Sequence, residues 1–339
     1  MGAKIIGVTG FFLIAIMLQV CALNEVRSNI YNISQKQVSL NGASFSGFYY
    51  DIDDNAGTEV LTLRLVDIAP NGTSAILSDQ QDSYGNRGIK YTTKAQPTDF
   101  DYSQWGQYEM IKIIGESYFA AYDNTPTGSG TSTGQLIPFL YDMSRDRNLM
   151  ADELISKILM DTDDEQIINL EEPLELEEGY ELSVKAINVE GKKIHVVLSK
   201  DGEVIDTKII QQSMEDSNIG DETYYFKKDL MDTKDIIILA VHFEDFFSGS
   251  GMESVRVDGI FQISDTPISI KEGTEYGKMS VNEINSTSMT IKIDNKDQKI
   301  RLSNDMEIEL MPDIYIYTAD QDDISSANPL RYYVYKDDY

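Results

Sequence analysis

An all-β protein made of β-sandwiches is the fold class this sequence predicts, and three observations predict it. Residues 59–65 alternate: Leu61, Leu63 and Leu65 fall on one face, and Val60, Thr62 and Arg64 on the other. That is the period of a half-buried strand. From Ile167 onward short apolar runs recur, marked by Leu174, Leu176, Leu182, Val184, Ile194, Val196 and Leu198, and the turn pairs Glu178-Gly179, Glu190-Gly191 and Asp201-Gly202 separate them. Strands at this spacing are the pattern of a sandwich. No stretch sustains a long helical period. The expected architecture is two connected β-sandwich subdomains, the first of them discontinuous in sequence.

Taken in order, residues 1–22 are expected to be a signal peptide. Lys4 supplies a short positive start, an apolar run follows, and Val20-Cys21-Ala22 offers small residues before a cleavage point. The run is shorter than a comfortable membrane span, so removal is favoured over a retained anchor. Cys21 is the only cysteine, so the exported chain would gain nothing from disulfides. Residues 23–165 are expected to form a first β-sandwich region, opening with a mobile polar lead-in to residue 37. Its centre is the segment FSGFYYDIDDNAGTEVLTLRL, residues 45–65. It reads as a hairpin of two strands, 45–52 and 59–65, joined by the turn formers Asp53-Asp54-Asn55-Ala56-Gly57. A second reading of the same turn is a site for Ca2+ or another divalent cation. Asp51, Asp53 and Asn55 have the first three oxygen positions of a calcium loop, but Ala56 replaces its turn glycine and Thr62 its bidentate glutamate.

A second aromatic hairpin is expected over residues 108–122, broken at Gly115, with Trp105 and its tyrosines serving as packing. Residues 123–134 read as a mobile tip and 136–141 as a short strand. Residues 149–160 fit either a helix or a strand. The acidic turn at 161–165 marks the first boundary, residues 166–264 a second β-sandwich, and residues 265–339 a third β stretch. About seventy residues of β-structure without disulfides make a marginal core, so that stretch is predicted to pack with the first region. It also echoes the second, Leu174-Glu175-Leu176 with Glu178-Gly179 against Ile268-Ser269-Ile270 with Glu272-Gly273.

The charge balance excludes one class of partner. Lys and Arg number 28 against 57 Asp and Glu, a net charge of -29, and nucleic-acid binding needs a basic surface. The acidity runs along the whole chain, which marks a strongly solvated surface. No cysteine nucleophile, G-x-S-x-G, H-E-x-x-H or phosphate loop occurs in residues 23–339. His195 and His242 lack partners at metal-ligand spacing and read as structural. No catalytic or cofactor-binding residue is assigned, although a pair of carboxylates at glycosidase separation would leave no trace in sequence. Three sequons, at Asn32, Asn71 and Asn285, are candidate glycan sites in an exported chain.

Five blocks carry a resemblance. They are GFYYDIDDxxGTExLT at residues 47–62, WGxYxxIxxxGxxYFAxY at 105–122, LxEGYxLxVxxINxxGKKxxVxLxKDG at 176–202, VDGIFQIS at 257–264, and IxLxxDxxIxLMxxIxIxxAD at 300–320. In this order they resemble the S-layer protein family of methanogenic archaea, the Methanosarcina-type S-layer domain. The resemblance implies two β-sandwich subdomains per unit and a secreted, glycosylated protein that tiles the cell surface as a porous acidic sheet. It implies partners that are itself or other S-layer subunits, with envelope glycans as further candidates. The family's usual chain carries a second unit, a stalk and a C-terminal membrane anchor, and this one is expected to be a single-unit member lacking them. Two readings of function follow. One is a subunit or accessory component of an S-layer, with the acidic clusters Asp51, Asp53, Asp54, Asp161, Asp163, Asp164, Asp322 and Asp323 lining pores. The other is a secreted carbohydrate- or partner-binding module.

Overall fold

The computed structural model describes residues 24–52, 57–125, 137–170, 172–211, 219–249 and 252–338. The expected signal peptide, Asp53, Asp54, Asn55 and most of the tip after Asp123 lie outside them. The described chain is all-β, arranged as antiparallel sheets without a closed barrel.

Two sheets enclose one core. A five-stranded sheet runs Asn24–Arg27, Arg331–Asp338, Ile314–Thr318, Met306–Met311, with Tyr31–Asn32 also on Arg331–Asp338. Facing it in one apolar cluster is an eight-stranded sheet. Its order is Glu275–Tyr276, Met279–Asn285, Thr290–Asp294, Ile89–Lys94, Glu59–Val66, Ala75–Leu77, Ile300–Leu302, with Gln37–Asn41 on Glu59–Val66. The cluster joins Leu61, Leu63 and Ile291 of one sheet to Ile308, Ile316 and Val334 of the other. Strands from beyond residue 265 thus pair directly with strands from the first hundred. The Arg87–Asp294 ion pair at 2.5 Å lies across this seam. Asn295 beside it accepts from the Ile89 N–H at 2.9 Å and donates to the Gln298 carbonyl at 2.8 Å.

The second sandwich has its own core. Its larger sheet has nine strands: Thr223–Leu230, Thr233–Gly249, Met252–Ile263, Leu154–Thr162, Glu116–Tyr122, Gln107–Ile113 and Gln96–Asp99 in order, with Gln166–Asn169 and Ile268–Ser269 off this path. Its smaller sheet runs Pro173–Glu175, Tyr180–Asn188, Lys193–Lys200, Glu203–Gln211. Leu182, Val196 and Leu198 of the smaller sheet join Leu239, Val241, Val257 and Phe261 of the larger in one buried cluster. Residues 96–165, grouped by sequence with the first region, supply strands to this nine-stranded sheet. The acidic turn after Thr162 separates two strands that both pair with Met252–Ile263.

One hairpin serves both cores. In Gln107–Ile113 and Glu116–Tyr122, Tyr108, Met110, Phe119 and Tyr122 enter the second core, while Ile111, Ile113, Ala120 and Ala121 enter the first. Strands that contribute to a core on each face carry apolar residues at successive positions, as Met110-Ile111 and Phe119-Ala120-Ala121 do here. Its turn, Ile114-Gly115, has positive φ at both residues, 55° and 83°, as a two-residue hairpin loop requires. Isoleucine is strained there. The Ile114 side chain is buried in the first core, and its N–H donates to the Tyr91 hydroxyl at 3.1 Å.

A buried carboxylate holds this turn. Glu59 is fully buried and starts the Glu59–Val66 strand on the same parity as Leu61 and Leu63. It accepts from the Tyr91 hydroxyl at 2.7 Å, the Gly115 N–H at 3.0 Å and the Tyr49 N–H at 3.0 Å. Three donors from three segments replace the water it has lost. Lys112, also buried, places its ammonium 4.0 Å from the centre of the Tyr49 ring and contacts the Ser117 hydroxyl. Burial lowers its pKa, with Glu59 and Glu116 acting in the opposite direction.

Several local expectations are corrected. Residues 45–52 do not form a strand, and Glu59–Val66 pairs with Gln37–Asn41 and Ile89–Lys94. Instead Phe45 and Phe48 tuck into the first core as an edge-to-face pair at 5.0 Å, and the Tyr49 N–H is taken by Glu59. The lead-in is not a free tail. Arg331–Asp338 takes Asn24–Arg27 as its neighbour, with Ser28 N–H donating to Val334 O at 2.8 Å and Arg27 lying over the Tyr333 ring. Residues 139–143 form a helical turn, Phe139–Met143, where a strand was expected. Residues 149–160 resolve into a 3-10 turn, Leu149–Asp152, and the strand Leu154–Thr162.

Glu59→Ala leaves three buried donors without an acceptor. The expected loss is about 3–5 kcal/mol of unfolding free energy, read from the urea midpoint at unchanged m-value. A loss under about 1 kcal/mol would contradict the role given to this carboxylate.

Candidate functional site

The sequence-derived candidates fall at separate places on the molecule. Asp51 lies before residues outside the described set, and its carboxylate accepts from the Tyr49 hydroxyl at 3.3 Å. Its two proposed co-ligands, Asp53 and Asn55, lie outside the described residues. Asp322 and Asp323 are exposed on a turn, where the Asp323 carbonyl accepts from the Asn328 side chain at 2.8 Å. Among the described residues no group of three or more His, Cys, Asp or Glu is placed to hold a metal ion.

The acidic turn at the end of Leu154–Thr162 is built differently. Asp161 is half-buried and is held by the Tyr108 hydroxyl at 2.9 Å and the Asp101 N–H at 3.2 Å. Burial pushes its carboxyl up to about 6. The two hydrogen bonds oppose that shift, and the neighbouring charges of Asp101 and Asp163 add to it. Burial and the charges of Asp163 and Asp164 also raise Asp101. Tyr108 projects into the second core, so this cluster is anchored from inside the protein.

Sequence reading missed the charged contacts that organise the second sandwich. Asp265 accepts from Lys200 at 2.5 Å, from Lys228, and from the Tyr180 hydroxyl at 2.6 Å. Burial raises its carboxyl, but these three donors outweigh burial and hold it well below the usual carboxylate range. The three donors come from both sheets of the sandwich. Arg256 meets Glu244 and Asp245, each at 2.7 Å, and Glu165 at 3.5 Å. No periodicity announces these pairings, because their partners lie tens of residues apart.

The two histidines differ in their surroundings. His242 is 4% exposed. Its Nδ1 lies 2.5 Å from Asp258 and its Nε2 lies 3.1 Å from the Tyr102 hydroxyl, whose ring stacks on the imidazole at 4.4 Å. His195 Nε2 meets the Thr207 hydroxyl at 2.7 Å on the outer face of the smaller sheet. Trp105 is fully buried in the second core with Phe100 and Tyr108, which makes this aromatic block packing.

All three sequon asparagines form the same local turn. Asn32, Asn71 and Asn285 each accept at Oδ1 from the N–H two residues on, at 3.0, 3.4 and 3.0 Å. The Thr73 hydroxyl adds a bond to Asn71 at 2.8 Å. Asn71 and Asn285 are exposed, and Asn32 is half-exposed.

Two concavities accompany these features. One, of about 580 Å³, lies between Ser34, Lys36, Ile68, Pro70, Gly72 and Pro329, beside two of the sequons. The other, of about 330 Å³, lies at the crease between the sandwiches and is walled by Tyr118, Tyr276, Glu116, Asp313 and Lys336. Among the described residues no helix is long and apolar enough to cross a membrane.

Comparison with known proteins places the chain. The family model for S-layer proteins matches residues 29–320, spanning both sandwiches. Three similar proteins each carry the name Major S-layer protein. The one from Methanosarcina acetivorans is 30% identical over 304 residues, covering 88% of this chain and 38% of the relative. Those from Methanosarcina barkeri and Methanosarcina mazei are 28% and 27% identical, covering 91% and 92% of this chain and 40% and 42% of theirs. The chain therefore spans about two fifths of the length of the curated relatives it matches.

The raised Asp161 carboxyl sets a pH dependence. A folded pKa above the unfolded value favours the folded state at low pH, and that contribution is lost as pH rises from about 4 through about 6. In Asp161→Asn the amide oxygen can take the Asp101 N–H and the amide nitrogen can donate to Tyr108. The variant is expected to be more stable than the parent at pH 7, by about 1 kcal/mol, and to lose the slope between pH 4 and 6. Melting temperatures across that range check both.

Proposed function

The chain belongs to the S-layer protein family, and we propose that it is a structural, non-catalytic component of an archaeal cell-surface sheet. The observation that carries this reading is the extent of the match. It covers residues 29–320, all of the second sandwich and all of the first except its Asn24–Arg27 and Arg331–Asp338 strands, so the part shared with the family includes both cores. The relatives named Major S-layer protein supply the role.

The physical properties suit such a sheet. Two sandwiches that share a hairpin make a stiff tile, because neither can rotate without opening the packed faces of Gln107–Ile113 and Glu116–Tyr122. A net charge of -29 gives pores lined by these copies a field that retards anions and passes neutral and cationic solutes. The three sequons carry their asparagines in turns at exposed or half-exposed positions, and we place glycans there. Export by the predicted leader and contact with other copies complete the proposal.

A second reading, a glycan-binding surface module, is favoured by one observation. The crease cavity combines two tyrosine walls with carboxylate and ammonium groups, which suits a polyhydroxylated ring.

Negative-stain microscopy of the purified, concentrated mature protein separates the two. The structural reading predicts ordered two-dimensional sheets or rings, and glycopeptide mass spectrometry on material from its host is expected to find Asn71 and Asn285 modified. Dispersed monomers at every concentration would overturn the sheet-forming role.

A further inference from the structure

We propose that the Glu203–Gln211 edge strand is a contact surface for a second copy of this chain, paired antiparallel about Thr207. The inference rests on the sheet-forming reading and names where two copies meet.

Four observations on the smaller sheet of the second sandwich carry it. First, the strand is a long open edge. Eight of its nine residues pair with Lys193–Lys200, all on one side. Among the described residues no strand forms a ladder with the other side, although the Ile219–Glu222 turn and Thr223–Leu230 lie nearby. Soluble proteins normally blunt such an edge, because its unpaired N–H and C=O groups recruit another strand.

Second, this edge is apolar where an edge strand is normally polar. Val204 is 67% exposed, Ile209 65% and Ile205 42%. The register shift at Leu198/Ser199 leaves Ile205 out of the ladder with its neighbour.

Third, the last three strands of this sheet and their turns carry balanced charge in a strongly acidic molecule. Residues 180–211 hold five acidic and five basic side chains, against 57 and 28 for the whole chain. Two copies at net -29 repel one another over most approaches, so a neutral face is where they can close to contact.

Fourth, the strand is complementary to itself. A two-fold antiparallel pairing centred on Thr207 sets Asp206 opposite Lys208, Ile205 opposite Ile209 and Glu203 opposite Gln211, each twice by symmetry. Opposite charges and β-branched residues are the favourable cross-strand pairs, and no like charges face each other. Both charges are already ordered, Asp206 by the Tyr224 hydroxyl at 2.7 Å and Lys208 over the Tyr225 ring at 3.8 Å. A different β-strand partner would have no reason to match this pattern.

The test uses the symmetry. Residue 207 faces itself, and facing Cα atoms in an antiparallel pair lie within disulfide reach, about 4.5–5.5 Å. Thr207→Cys is made in a Cys21→Ser chain and oxidised mildly, with Tyr84→Cys at an 87% exposed position as control. The proposal predicts a cross-linked dimer at a level about tenfold above the control. Ile209→Lys, which places a charge on an exposed side chain, is expected to raise the concentration needed for assembly about tenfold without lowering the melting temperature. Cross-linking no greater than the control, or assembly of Ile209→Lys at the parental concentration, overturns the proposal. If the parent still forms sheets in that case, the sheet-forming reading stands and only this interface fails. Cross-linked dimers without sheets support the interface and sink the sheet.

Discussion

The structure depends on a hairpin that is packed into a core on each face. Gln107–Ile113 and Glu116–Tyr122 send aromatic side chains into one core and aliphatic ones into the other, so the two sandwiches cannot be separated without exposing apolar surface on both. A strand pair buried on both sides must still satisfy its turn. Glu59 does this from the neighbouring sandwich, accepting the Gly115 N–H and the Tyr91 hydroxyl that in turn binds the Ile114 N–H. A single buried carboxylate thus fixes the entry angle of the hairpin and ties it to the strand that carries Leu61 and Leu63. Ionic groups at such seams contribute through geometry more than through net energy, because desolvation consumes most of the Coulombic gain.

Charge is managed by location. Where carboxylates are buried they are paired or multiply hydrogen-bonded, as Glu59 and Asp265 are. Where they crowd at a turn, as at Asp161, one is driven toward its protonated form by burial. The remaining acidity is spread over the surface, while residues 180–211 carry balanced charge.

Much of the fold was legible in sequence because its strands alternate. Leu61, Leu63 and Leu65 are buried, and the turns at Glu178-Gly179 and Asp201-Gly202 fall between strands as read. The aromatic content of residues 45–52 resembles that of a strand, but Phe45 and Phe48 are plugs on an irregular segment. The lead-in misled because its pairing is supplied by a strand three hundred residues later, which no local pattern encodes. Glu59 was open to notice. It lies on the parity of three buried leucines, and a charged residue at such a position implies a partner network. The Asp265 and Arg256 contacts had no such signal, and the candidate cation loop falls partly outside the described residues.

Differential scanning calorimetry of the mature chain tests the central claim most directly. If the shared hairpin and Glu59 make the two sandwiches one cooperative body, the protein unfolds in a single transition whose calorimetric and van't Hoff enthalpies agree. Two resolved transitions, each with the enthalpy of one sandwich, would show that the cores melt independently and that the shared hairpin does not couple them.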